Sequence, residues 1–213
     1  PWLEEQGLHE QFRQFQLAHW RERCRSLREA VDAHNPDFRF VVYPGPGQPF
    51  TGLAAGVEWS TERAPVVFAT PRTYGRITKF APQRATIEAN GGVLSALVTE
   101  AEALGVPFHY LGGIDPVVQG ADPEFCGRNA AILAQNGDGY WVFYEGPEYE
   151  DDHPAYFDWF TRANAAIDAE NGTEGNRLFY LAVPPVLYPV IARRLGEAGL
   201  NQNRHGWSRI VIE

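Results

Sequence analysis

Short runs of continuous apolar, β-branched and aromatic residues alternate along this chain with longer stretches of helical period. That alternation limits the fold more than any other feature. Phe38–Tyr43 (FRFVVY), Pro65–Ala69 (PVVFA), Phe108–Leu111 (FHYL), Tyr140–Glu145 (YWVFYE), Leu178–Val183 (LFYLAV) and Arg209–Ile212 (RIVI) read as six strands. Between them lie predicted helices at Gly92–Leu104, ended by Gly105, at Pro123–Gln135 with Asp122 as N-cap, at Pro154–Ala169 and at Val186–Gly199. A longer amphipathic pattern covers Leu3–Ala33, broken or bent near Gly7 and stopped by Asn35-Pro36-Asp37. Gly45–Ala64 is Gly/Pro-rich and shows no clear helix. Apolar strands separated by helices predict an α/β fold, with a mostly parallel sheet of about six strands buried on both faces.

Six units are fewer than the eight of a closed barrel, so the pattern fits an open sheet or an incomplete TIM-barrel-like part joined to something else. Asn171–Asn176 (NGTEGN) is the most loop-like break, which divides the chain into 1–168 and 172–213. Only one of the 18 basic residues is a lysine, Lys79, against 27 acids, for a net charge of −9. That balance argues against nucleic acid and anionic membranes as partners. No apolar run is long enough to span a bilayer and no signal peptide is visible, so a soluble protein, cytoplasmic rather than secreted, is expected. The chain has no methionine, even at position 1, and so reads as an excised or rewritten segment.

Ligand sites of parallel α/β folds gather where the strands end. Those ends carry Tyr43, Tyr74, Asp115 after Gly112-Gly113, and Glu145, with Trp141 and Tyr144 close by in sequence. Two carboxylates in an aromatic-walled cleft suit glycoside hydrolysis, one protonating the leaving oxygen while the other attacks or activates water. The aromatic faces suit stacking on sugar rings. A plainer reading stands beside this one, since Asp115 before Pro116 is also a good turn residue. Glu148–His153 reads as a solvated, helix-capping acidic loop rather than a cation site. The six histidines lack HxH or HxxxH spacing, no metal site is expected, and Cys24 and Cys126 fall within helix patterns without a nucleophile's surroundings. No GxSxG, Walker A or GxGxxG motif occurs.

Two resemblances follow from longer stretches. WRERCRSLREAVDAHNPDFRFVVYPG (20–45), APVVFATPRTYGR (64–76), FHYLGGIDPVVQGADPEFCGRNA (108–130) and GYWVFYEGPEYEDDHPAYFDWFTRAN (139–164) are similar in style and order to the C-terminal half of a glycoside hydrolase-type (β/α)8 barrel. That resemblance implies a small-molecule or oligosaccharide substrate, no cofactor, and Glu145 and Asp115 lining the site. The acid/base that such barrels commonly carry on their fourth strand is then missing from the chain.

GTEGNRLFYLAVPPVLYPVIARRLGEAGLNQNRHGWSRIVIE (172–213) closely resembles a βαβ segment of the glucose-6-phosphate dehydrogenase coenzyme domain. That resemblance implies NADP, with Ala182, Pro184 and Tyr188 near it. The family's Gly-rich phosphate loop, the substrate-contacting Lys-Pro that follows the equivalent of Glu213, and the domain with the catalytic histidine are all lacking. A carbohydrate-processing fragment is therefore the leading expectation and an NADP-binding oxidoreductase fragment the second. A chimeric or synthetic chain without activity is the third.

Overall fold

The computed structural model describes residues 2–43, 49–74, 83–116, 122–143, 153–172, 177–181, 186, 188–197, 199, 201 and 208–212. The chain separates into two compact units, Pro1–Pro71 with Leu97–Tyr110, and Arg72–Ala96 with Leu111–Glu213.

In the first unit the helical pattern splits at Gly7, which takes a φ of 66°. Helix α1 (Trp2–Glu5) precedes it and α2 (His9–Asp32) follows. One side of α2 is buried through Cys24 and Arg28. Strand β1 (Val41–Val42) pairs parallel with β2 (Val66–Thr70), in the register Val41↔Val67 and Val42↔Phe68. Between them runs α3 (Pro49–Trp59). The end of α3 is tied to α2. The Trp59 indole N–H donates to the Cys24 carbonyl at 3.0 Å, and Arg21 and Arg25 converge on Glu58 at 2.6 and 3.1 Å. Phe40 stacks on Trp59 at 4.6 Å, and Phe68, fully buried, meets Tyr110 at 5.6 Å. Gly56 lies under the Phe68 ring, where a Cβ would overlap it.

Helix α4 (Gln83–Glu102) and strand β3 (Phe108–Ile114) each contribute to both units. In the second unit, Leu111–Ile114 of β3 pairs parallel with β4 (Gly139–Val142). Helix α5 (Pro123–Asn136) joins them, starting where the Asp122 side chain accepts from the Phe125 amide at 2.9 Å with Pro123 at the first helical position. Helix α6 (His153–Asn171) packs on α5. Gly127 lies directly against the Trp159 backbone, and Trp159 carries Arg162 over its ring at 4.9 Å. Gly112 admits the Leu133 side chain, which is fully buried. Strands β5 (Arg177–Leu181) and β6 (Ser208–Ile212) are parallel, with α7 (Tyr188–Glu197) between them.

Four expectations need correcting. The six strands do not form one sheet: four run in the order β1-β2-β3-β4, and β5 and β6 make a separate two-stranded sheet. The expected incomplete TIM-barrel-like part is not shown among the described residues; α3, α5 and α7 each cross between two paired parallel strands, a pattern that open sheets and barrels share, so periodicity cannot tell them apart. Residues 45–64 include α3, whose Pro49 sits at the first helical position, where a proline is tolerated. Helix α4 begins at Gln83 rather than Gly92, because Gly91 is an interior packing glycine. A Cβ there would lie 3.1 Å from both Ile132 and the Asn136 side chain.

Candidate functional site

The second unit draws buried polar groups and aromatic rings together after the end of β3. Phe143 donates its amide to the Ile114 carbonyl at 2.8 Å, which continues the β3–β4 ladder to the residue before Asp115. Asp115 is 8% exposed. Thr73, fully buried, donates its hydroxyl to the Gly113 carbonyl at 3.0 Å. The Thr73 carbonyl accepts from the Asn90 and Asn129 amides at 3.1 and 3.0 Å, and Asn90 also donates to the Asn129 side-chain oxygen at 3.1 Å. Tyr156, buried, donates its hydroxyl to the Pro116 carbonyl at 3.0 Å. Polar groups withdrawn from water need such partners, so the two asparagines and Tyr156 hold the segments on either side of the strand end in place.

Leucine at position 129 would remove one donor from the Thr73 carbonyl and the acceptor of one Asn90 N–H. Asn129→Leu is expected to cost about 2 kcal/mol, read as a lower urea midpoint with an unchanged slope. An unaltered midpoint would remove the network from any organising role.

Among the aromatic candidates, Tyr74 and Trp141 come together, 5.6 Å apart and edge-on at 61°. Tyr74 also lies over Phe143 at 6.3 Å and 28°. Trp141 and Phe143 are two residues apart along an extended strand and therefore share a face. Tyr43 belongs to the first unit and is 54% exposed. Tyr188 is half-buried at the start of α7. Glu145, Tyr144, Ala182 and Pro184 lie outside the described residues.

Thr73, Asn90, Asn129 and Tyr156 were not visible as site residues in the sequence. Asn129 alone left a signal, being a polar side chain set among Cys126, Ala130 and Leu133 on the apolar side of α5.

Cys126 is almost wholly buried, and burial pushes its thiol up to about 12, with the carboxylates of Asp122 and Asp115 adding to the effect. Burial also raises Cys24, with Glu58 adding to it. Neither thiol is then a thiolate at neutral pH. The folded protein is expected to leave both unmodified by a thiol-directed disulfide reagent at pH 8, with two equivalents reacting after unfolding. Stoichiometric reaction of the native chain would contradict this. Among the described residues no three His, Cys, Asp or Glu side chains cluster as metal ligands, and no helix is long and apolar enough to cross a membrane.

Comparison with known proteins bears on one part of the chain. Residues 141–213 match the NAD binding domain of glucose-6-phosphate dehydrogenase. The match begins within β4, well before Gly172, and spans α6, β5, α7 and β6. Relatives agree with it. Glucose-6-phosphate 1-dehydrogenase from Aggregatibacter actinomycetemcomitans is 56% identical over 41 residues, covering 19% of this chain and 8% of that protein. Glucose-6-phosphate 1-dehydrogenase 2 from Mycobacterium tuberculosis is 50% identical over 48 residues, 22% and 9%. The cytoplasmic Arabidopsis thaliana glucose-6-phosphate 1-dehydrogenase 6 is 41% identical over 61 residues, 25% and 12%. The chain thus spans about a tenth of the length of these relatives. No solved structure matches it.

The order of the two sequence expectations is reversed by these findings. The dehydrogenase-type coenzyme-domain reading is supported, while the hydrolase-barrel reading is not shown, and residues 141–168 assigned to it fall inside the dehydrogenase match.

Proposed function

We propose that this chain carries a partial NADP-binding element of a glucose-6-phosphate dehydrogenase-type oxidoreductase, built on β5, α7 and β6. The observation that carries the reading is the coincidence of the family match over 141–213 with a parallel βαβ unit. The register from Arg177↔Ser208 to Leu181↔Ile212 directs the ends of both strands to one side, the side where such folds bind dinucleotides. Ala182 and Pro184, in the segment that follows β5, and Tyr188, which opens α7, are the residues proposed to border the ligand. The fit is to one edge of the dinucleotide, because the sequence contains no GxGxxG to cradle the pyrophosphate. Bound NADP would supply a hydride acceptor. The chain's own part is to hold and orient an edge of it. The relatives are named for glucose 6-phosphate, and oxidation of that sugar phosphate would need parts of the enzyme lying beyond the match.

A ligand that binds only the folded chain raises its stability by RT ln(1 + [L]/Kd), about 1.4 kcal/mol at ten times Kd. Thermal unfolding with NADP, set beside a panel of mono- and oligosaccharides, is expected to show a rise of a few degrees with NADP and none with the sugars.

A second reading keeps the carbohydrate chemistry within the second unit, with Glu145 and Asp115 as acid and base and Tyr74, Trp141 and Tyr144 stacking on sugar rings. The Tyr74–Trp141 contact favours it. It ranks behind the first because Asp115 is largely buried. A rise with sugars alone would put it first.

A further inference from the structure

Three of the nine asparagines precede a glycine: Asn90-Gly91, Asn136-Gly137 and Asn171-Gly172. An asparagine so placed can rearrange on its own. The amide nitrogen of the next residue attacks the side-chain carbonyl carbon, and glycine allows the close approach and the backbone angles that this attack needs. The three pairs are alike in sequence, so it falls to the fold to make them differ.

Two of them are held. Asn90 and Gly91 are buried within α4, away from either end. The Asn90 side-chain nitrogen donates to the Thr73 carbonyl and to the Asn129 side-chain oxygen, both at 3.1 Å. Asn136 closes α5, but its side chain is fastened twice. Its nitrogen donates to the Ile132 carbonyl at 2.8 Å, and its oxygen accepts the Ser95 hydroxyl at 2.7 Å. To react, either side chain must leave these partners and turn to its own following amide, which leaves withdrawn polar groups without hydrogen bonds.

The third pair is set differently. Asn171 is the last residue of α6, and Gly172 follows it with a φ of 61°. Gly172 is exposed, and a Cβ added there would meet nothing within 4 Å. Its amide donates to the Asp168 carbonyl at 3.0 Å, a bond of the final helical turn. Such bonds open at the lowest cost, so water and base reach this amide while the rest of α6 stays folded.

We propose that Asn171 is a self-modifying site of the folded chain. A base takes the Gly172 amide proton, and the nitrogen forms a bond to the Asn171 side-chain carbonyl carbon. The bond from that carbon to its own nitrogen breaks, and ammonia leaves with the proton that the base returns. A five-membered succinimide remains, and water opens it at either carbonyl to give aspartate or isoaspartate. One water enters and one ammonia departs; no oxidant or reductant takes part. The product adds a negative charge to the existing −9. As isoaspartate it also lengthens the main chain by one methylene on the way from α6 to β5.

Cleavage after Lys and Arg places the three pairs on separate fragments, 85–128, 129–162 and 163–177. Mass spectrometry of these fragments, after the folded chain has been kept in mildly alkaline buffer, tests the proposal. Fragment 163–177 is expected to gain one mass unit at Asn171 and to split into two chromatographic forms. That gain should run at least about tenfold faster than any at Asn90 or Asn136. In concentrated guanidinium chloride the three rates should converge, because the fold that separates them is gone. Asn171→Gln should remove both forms of 163–177 and leave the other two fragments as they were. A gain at Asn90 or Asn136 as fast as at Asn171 in the folded chain would overturn the proposal. So would an unreactive Asn171 in the folded chain, or the same tenfold preference persisting in guanidinium chloride.

Discussion

Valine in place of Gly127 is expected to destabilise the second unit by about 3 kcal/mol, the upper end of what overpacking a well-filled interface costs. A Cβ at 127 would stand 2.8 Å from the Trp159 carbonyl oxygen and 2.9 Å from the Trp159 Cβ. The first obstacle is backbone, so no rotamer change relieves it, and α5 and α6 would have to move apart. Moving apart would also disturb Trp159, which carries Arg128 and Arg162 over its ring. The contrast is Gly92, another helical glycine, where an added Cβ meets nothing within 4 Å. Gly92→Ala should be neutral or gain up to about 1 kcal/mol from helix propensity alone. Urea unfolding of both variants separates packing from propensity. Equal midpoints would show that the α5–α6 approach is not as close as described.

Arg28→Ala should cost the first unit about 3 kcal/mol. Arg28 is only 4% exposed, yet its guanidinium donates to the Phe38 carbonyl at 2.7 Å, pairs with Asp32, and lies over the Phe40 ring at 5.2 Å. Alanine removes the packing of the long, buried side chain and leaves the Phe38 carbonyl without its donor. The same pair sets a pH dependence. The hydrogen bond from Arg28 holds the Asp32 carboxyl below its ordinary 3.8, with the charge of Arg28 adding to it. A depressed acid contributes stability above its unfolded value and loses that contribution as pH falls through the folded one, so the effect lies below about pH 4. Asp32 is 37% exposed, and solvent keeps this contribution small. Wild type should therefore lose more stability between pH 6 and pH 3 than Arg28→Ala does, measured by urea unfolding at both values. Identical losses would detach Asp32 from Arg28.

The sequence was most informative where burial of a single element decides its form. The period of apolar residues located α2, and the split at Gly7 follows from its left-handed φ. Asp122 and Pro123 announced the start of α5 because capping is a local device. Strand neighbours were not legible. Phe38–Tyr43 and Leu178–Val183 look alike as apolar runs, yet the strands within them belong to different sheets, and pairing is fixed by contacts distant in sequence. Helix α3 hid behind Gly and Pro residues that act as helix breakers in other positions. The buried Thr73–Asn90–Asn129 cluster was not legible as a cluster because its members lie on three separate segments, of which only Asn129, on the apolar side of α5, stands out by itself. Of the proposed ligand contacts, Ala182, Pro184 and Tyr188 rest on similarity of sequence rather than on any physical signal that the pattern of residues carries by itself.

Isothermal titration of the intact chain with NADP, beside the same sugars used in thermal unfolding, tests the coenzyme-binding account most directly. The account predicts saturable heat with NADP at one site per chain, weakened at least tenfold in Tyr188→Ala, and no heat with the sugars. No binding of NADP by a folded chain, or saturable binding of a saccharide in its place, would contradict it.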